Sequence, residues 1–198
     1  MSNICEKLID ACISADCNDP LYAGVDSVGY IANFADIASV TYDTTNPSII
    51  TGITMATVGQ DTKCFYTIQQ LGNQPFDGSQ VEMTGGTYGN KFNNTVKFAV
   101  LDNGPEITND IIDKLANGKF VVILKNDYKG AGGNAKYSVY GIKKGLKAAS
   151  ITRELYGDNE SAWICSMTET NTPMSGLFFY VTDESTTDAA IDALKCTC

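Results

Sequence analysis

The chain has 198 residues, enough for one domain with its own core and no need of cross-links. Hydrophobic residues make up 43% and charged residues 19%, the balance of an ordinary globular protein; ten Tyr and eight Phe against one Trp suit a sheet-rich fold. A net charge of −9 argues against binding driven by neutralising nucleic-acid phosphates, and no apolar run is long enough to span a membrane.

The first seventeen residues place Ile4, Leu8, Ala11 and Cys12 at helical spacing, with Ile9 and Ile13 beside them. Glu6, Lys7 and Asp10 interrupt the apolar positions, so the segment reads as an amphipathic helical arm (1–20) and not as a secretory signal. Its apolar stripe needs a cover, either this chain's own sheet or a neighbouring molecule. A turn cluster at 18–24 ends it. Strands are expected at 28–32, 38–42 and 48–55, the last with Gly52 as a bulge. Residues 57–62 are polar and turn-like. Further strands are expected at 64–70, 80–84 and 92–101; in the last, Val96, Phe98 and Val100 alternate with Lys97 and Ala99.

Residues 104–117 carry the clearest helical pattern. Pro105 and Glu106 suit its start, Ile107, Ile111, Ile112 and Leu115 form one face, and Asn117-Gly118 reads as a left-handed cap. The strand that follows, 119–124, is apolar on both faces, which predicts cover from this helix on one side and more protein on the other. With the Tyr/Val-alternating strand at 137–141 it makes a long β-hairpin. The tip, 126–136, is small and polar and contains Gly130, Gly132 and Gly133. It reads as a flexible tip; the strand-loop-helix setting of a nucleotide site is missing. A final helix is expected at about 186–195, with Asp188 in its first turn. Together these elements predict a mainly β or α+β fold: a β-sandwich or curled barrel-like sheet with two or three flanking helices. The expected organisation is a single domain, with a β-rich body over 25–182 and a helical tail over 185–198.

Chemistry is sparse. With no histidine, the commonest general base and the Ser-His and Cys-His pairs are gone, and no phosphate-loop motif is present. Asp102 with Glu106, and Asp183 with Glu184, read as solvated turn carboxylates without calcium-loop spacing. The seven cysteines (5, 12, 17, 64, 165, 196 and 198) follow no zinc pattern and are expected to be reduced thiols, with Cys196-Thr197-Cys198 in a fraying end. No catalytic residue, cofactor or metal site is expected, and the chain is not expected to be an enzyme.

Three runs carry a likeness. They are Phe120-Val121-Val122-Ile123-Leu124; Tyr137-Ser138-Val139-Tyr140-Gly141 with Gly145-Leu146; and 163–169 with Pro173 after it. With the upstream Asn103-Gly104-Pro105 helix, they resemble a segment of structural proteins of tailed bacteriophages of Bacteroidetes, including crAss-like phages, over about half the chain. The resemblance implies a virion building block, a tail-tube or tail-ring subunit. It also implies a homo-oligomeric, hexameric ring or tube that contacts other tail proteins and lets DNA pass through its lumen without specific binding. Such a subunit is assembled in the host cytoplasm and has no membrane partner. The N-terminal arm has no place in that pattern.

Subunit-interface candidates are Asn126, Lys129, Gly130, Gly132, Gly133, Asn134 and Lys136 at the hairpin tip, expected to order only against a neighbouring ring. An acidic lumen would repel phosphates during DNA passage. The alternative is a carbohydrate- or receptor-binding β-sandwich module of a phage fibre or adhesin; it would more often show repeats, which are absent.

Overall fold

A computed structural model describes residues 24–70, 76, 78–87, 89–155 and 161–196. The N-terminal arm, and with it Cys5, Cys12 and Cys17, lies outside the described residues, as does Cys198.

The strands in chain order are β1 (Val25–Asn33), β2 (Ile37–Tyr42), β3 (Ile49–Met55), β4 (Thr57–Val58), β5 (Asp61–Thr62), β6 (Tyr66–Gln69), β7 (Ser79–Thr84) and β8 (Lys91–Val100). After a helix come β9 (Phe120–Asn126), β10 (Tyr137–Tyr140), β11 (Lys147–Arg153), β12 (Trp163–Thr172) and β13 (Leu177–Phe179). That helix, α1, runs without a break through Pro105–Ile107, Thr108–Ile112 and Asp113–Asn117, its middle turn wound as a π-helix. The last helix, α2, is Glu184–Leu194.

The molecule is an open β-sandwich with a helix on its outer face. A seven-stranded sheet has the order β2-β3-β13-β10-β9-β1-β6; a four-stranded sheet has the order β11-β12-β8-β7; β4 and β5 form a small separate hairpin. Of the two expected shapes, the sandwich is present, and among the described strands β2 and β6 are the outermost of the large sheet.

The strand β9 explains why the layers stack. Its first five residues, Phe120 to Leu124, are all buried. Phe120, Val122 and Leu124 face the small sheet, where Val96, Phe98, Cys165 and Met167 meet them and Ile112 and Leu115 of α1 close one end. Val121 and Ile123 face the other way, with Tyr30, Ile50, Phe179 and Ile191 of α2. Each such side chain contributes about 1.5–3 kcal/mol on burial. The hairpin β9–β10 forms as expected, with Val139 opposite Ile123 and Tyr140 opposite Val122. Gly52 sits beside the expected irregularity: Thr41 pairs with Gly52 and Tyr42 with Ile50, so Thr51 is left over.

Three expectations need correction. Gly118 is not a left-handed cap, because its backbone is extended (φ −89°). A Cβ there would lie 2.3 Å from the Phe120 ring, so the glycine provides room for that ring as it turns into the core. The polar stretch 57–62 contains the β4–β5 pairing around Gly59 at φ +69°. The last helix starts two residues earlier than expected: the Asp183 side chain accepts from Thr186 N–H at 2.8 Å and caps it. Three strands, β11, β12 and β13, were not placed from the sequence.

The residues of the Tyr140-Gly141…Gly145-Leu146 likeness turn out to form the corner where the chain leaves the large sheet for the small one. Gly141 and Gly145 both hold positive φ (+85° and +81°). A Cβ on Gly141 would lie 2.4 Å from the Phe120 carbonyl oxygen. That carbonyl accepts from Leu146 N–H at 2.8 Å, and Phe120 N–H donates back to Leu146 O at 2.9 Å. The corner is held from below by Glu169, a buried carboxylate on β12. Its Oε1 accepts from the Lys143 and Lys144 N–H groups at 3.1 and 2.6 Å, and its Oε2 accepts from Asn94 Nδ2 at 3.1 Å.

Candidate functional site

The hairpin tip is folded against its own chain. Asn126 N–H donates to Lys136 O at 2.7 Å, Ala135 N–H to Lys129 O at 2.8 Å, and Asn126 Nδ2 to Ala135 O and Ser138 Oγ, each at 2.7 Å. Gly130, Gly132 and Gly133 hold φ of +67°, +68° and +84°, which lets the chain coil into one tight turn. The expectation of a tip that orders only against a neighbour is thereby corrected. Small residues and positive-φ glycines let the tip close on itself through backbone bonds such as Gly133 N–H to Gly130 O, and α2 supplies the charge partners.

Those partners form one network. Lys136 is buried, and its Nζ donates to Glu184 Oε1 and Asp188 Oδ2, both at 2.7 Å; Lys129 Nζ reaches the same Glu184 oxygen at 2.8 Å. Tyr137 donates its hydroxyl to Asp188 Oδ1 at 2.8 Å. Burial disfavours the charged Lys136 ammonium, but the bonds to Asp188 and Glu184 outweigh it and hold its pKa above the ordinary value. Lys129, then Lys136, draw the Glu184 carboxyl from its ordinary 4.5 down to about 2. Burial and the neighbouring Asp188 carboxylate push the Tyr137 hydroxyl well above its ordinary value.

Because Glu184 binds its proton more weakly in the folded chain, its stabilisation is complete above about pH 4.5 and is lost as pH falls toward 2. In urea titrations the wild type is expected to lose more stability across that window than Glu184→Gln, which lacks the titrating group. Parallel losses in the two proteins would contradict the network.

The candidates therefore divide. Lys136 and Gly133 are buried in the tip's own packing, whereas Lys129, Gly132 and Asn134 are exposed. What the tip presents outward is a small polar knob braced by α2.

A second surface was not singled out from the sequence. Among the described residues, strand β7 pairs with β8 on one side only, and it is exposed along almost its whole length. Val81 and Met83 pair across with Asn94 and Phe92, on the same face as the buried Val96. They belong to the inward apolar row, yet they stay 41% and 58% exposed because the large sheet does not reach over them. The alternation Gln80-Val81-Glu82-Met83 is the pattern of a half-buried strand; that its apolar half is bare depends on where the other sheet ends.

The sandwich also opens at the β6 edge. A cleft of about 680 Å³ lies between β6, β8 and α1, with Ile68, Phe98 and Leu115 in its wall. Tyr66, Leu101 and Ile111 at its mouth are 54%, 50% and 38% exposed. Gln70, itself buried, spans the gap: its amide accepts from Ala99 N–H at 2.7 Å and donates to Ala99 O at 2.6 Å, taking the place of a strand beside β8.

Comparison with protein-family models, with curated proteins and with solved structures returned no match to this chain.

Proposed function

We propose that this chain is a self-assembling structural subunit, and, from the likeness at 119–173, a tail-tube or tail-ring component of a phage virion. The observation that carries the self-assembly is β7. Isolated proteins protect their sheet edges with lysines, prolines, bulges or a covering loop. Among the described residues this strand has no partner on its outer side, and it carries two bare apolar side chains, Val81 and Met83. A second copy laid along it would complete the ladder and cover the row, as in strand addition generally. The open β6 edge and its apolar cleft are a further surface of the same kind. In the ring this reading describes, the acidic remainder of the surface keeps DNA phosphates from adhering as they pass.

The test is the assembly state over concentration, by mass photometry and light scattering. Wild type is expected to form a closed ring or tube. The Val81→Lys/Met83→Lys double variant should stay monomeric with an unchanged far-UV spectrum, since neither side chain supports the monomer's core. A wild-type chain that remains monomeric at every concentration overturns the proposal; a monomer or trimer that binds glycans supports the binding-module alternative.

A further inference from the structure

The corner between the sheets carries a feature that the assembly reading does not use. Lys119, Lys143, Lys144 and Lys147 line a single pocket of about 480 Å³, with Phe34, Thr168, Thr170 and Asn171. Four of the chain's fourteen cations thus converge on one concavity of a protein whose net charge is −9. No carboxylate lines it. Lys114, Lys125, Lys129, Lys136 and Lys195 each hold a carboxylate partner, but these four lysines have none among the described residues. Like charges gathered in this way repel one another, and an anion between them relieves that cost.

The pocket is also built. Gly145, at positive φ, leaves no side chain over the floor, and the Lys119 stem and the Phe34 ring lie across it: a Cβ there would come within 2.9 Å of Lys119 Cβ and 3.3 Å of Phe34 Cγ. Lys143 Nζ is positioned by the Tyr42 hydroxyl at 2.8 Å and sits 4.0 Å from the centre of the Tyr42 ring. Lys144 Nζ donates to the carbonyls of Thr170 and Asn171 at 3.2 and 2.7 Å, where Asn171 takes positive φ (+58°) at an irregularity of β12. Each ammonium has three donors, so both keep capacity for a ligand. Glu169 lies beneath and occupies the Lys143 and Lys144 N–H groups, so recognition falls to the ammonium groups and to the Thr and Asn side chains.

We propose that this pocket binds phosphate-bearing anions, with room for two or three linked phosphates rather than one. The source of the phosphates is either a free oligophosphate or a nucleic-acid backbone, and one experiment separates them. Tripolyphosphate is titrated by calorimetry at constant ionic strength against wild type and against Lys119→Gln/Lys147→Gln. Neither of those two side chains has a hydrogen-bond partner among the described residues, so the variant should fold normally. Saturable binding that weakens at least tenfold in the variant is the expected result. A fluorescent single-stranded oligonucleotide forms the second arm. If it also binds, and its log-log salt slope falls by about 1.4 on removing two lysines, the phosphates are those of nucleic acid. If only tripolyphosphate binds, they are free. No binding of either, or equal binding by the variant, overturns the assignment.

Discussion

Replacing the pair as Cys64→Ser/Cys196→Ser is expected to lower the unfolding free energy by about 2–5 kcal/mol, the largest effect of any change discussed here. Cys64 and Cys196 are joined by a disulfide across 132 residues of sequence, with Cα atoms 5.1 Å apart. The expectation of reduced thiols and a fraying end is corrected for these two. The chain end is drawn in beside β6: Phe65 N–H donates to Leu194 O and Cys196 N–H to Phe65 O, each at 2.8 Å, while Phe65 itself is 1% exposed. These contacts survive in the variant, so the loss comes mainly through the unfolded chain, which regains the freedom of a very long loop. Urea denaturation checks it. Reductant should move the wild-type midpoint to that of the double variant and leave the variant where it is. A wild-type midpoint indifferent to reductant would mean that the bond contributes nothing. In the folded protein, burial pushes the Cys165 thiol up to about 11 and keeps it protonated.

Glu169→Ala is expected to cost about 3 kcal/mol, because it strips two corner amides and Asn94 of their acceptor in a buried site. Glu169→Gln should fall between: it keeps an oxygen for the two amides but turns an NH2 group toward Asn94 Nδ2. The same denaturation measurement ranks the three proteins. An alanine variant within about 0.5 kcal/mol of wild type would show that the corner is held by its glycines and by the Phe120–Leu146 bonds alone.

Much of this architecture is legible from local pattern. The run Phe120 to Leu124 announces a strand buried on both faces, and it lies between α1 with the small sheet and the core under α2. The period of Ile107, Ile111, Ile112 and Leu115 marks α1, with Ile112 and Leu115 buried as read. These signals come from neighbours a few residues apart, and burying an apolar stripe has few solutions.

The misses have a common cause. The alternation of β11 is broken by a register shift between Ala148 and Ser150, and β13 has only three residues, so each exists through its partners. Gly118 looked like a cap until the Phe120 ring claimed its space. The tip looked loose until Glu184 and Asp188 arrived from far along the chain. Cys64 and Cys196 gave no sign of pairing, because only their approach in space shows it.

By itself, then, the sequence determined the strand-rich class, the two-faced central strand, the hairpin and the helices, since these follow from side-chain periodicity and backbone preference over short stretches. The tertiary structure alone decided which apolar row stays uncovered at β7, which carboxylate holds the corner, which cysteines join, and that four lysines share one pocket. Each of those depends on distances between residues that the chain separates widely and that only the closing of the two sheets brings together.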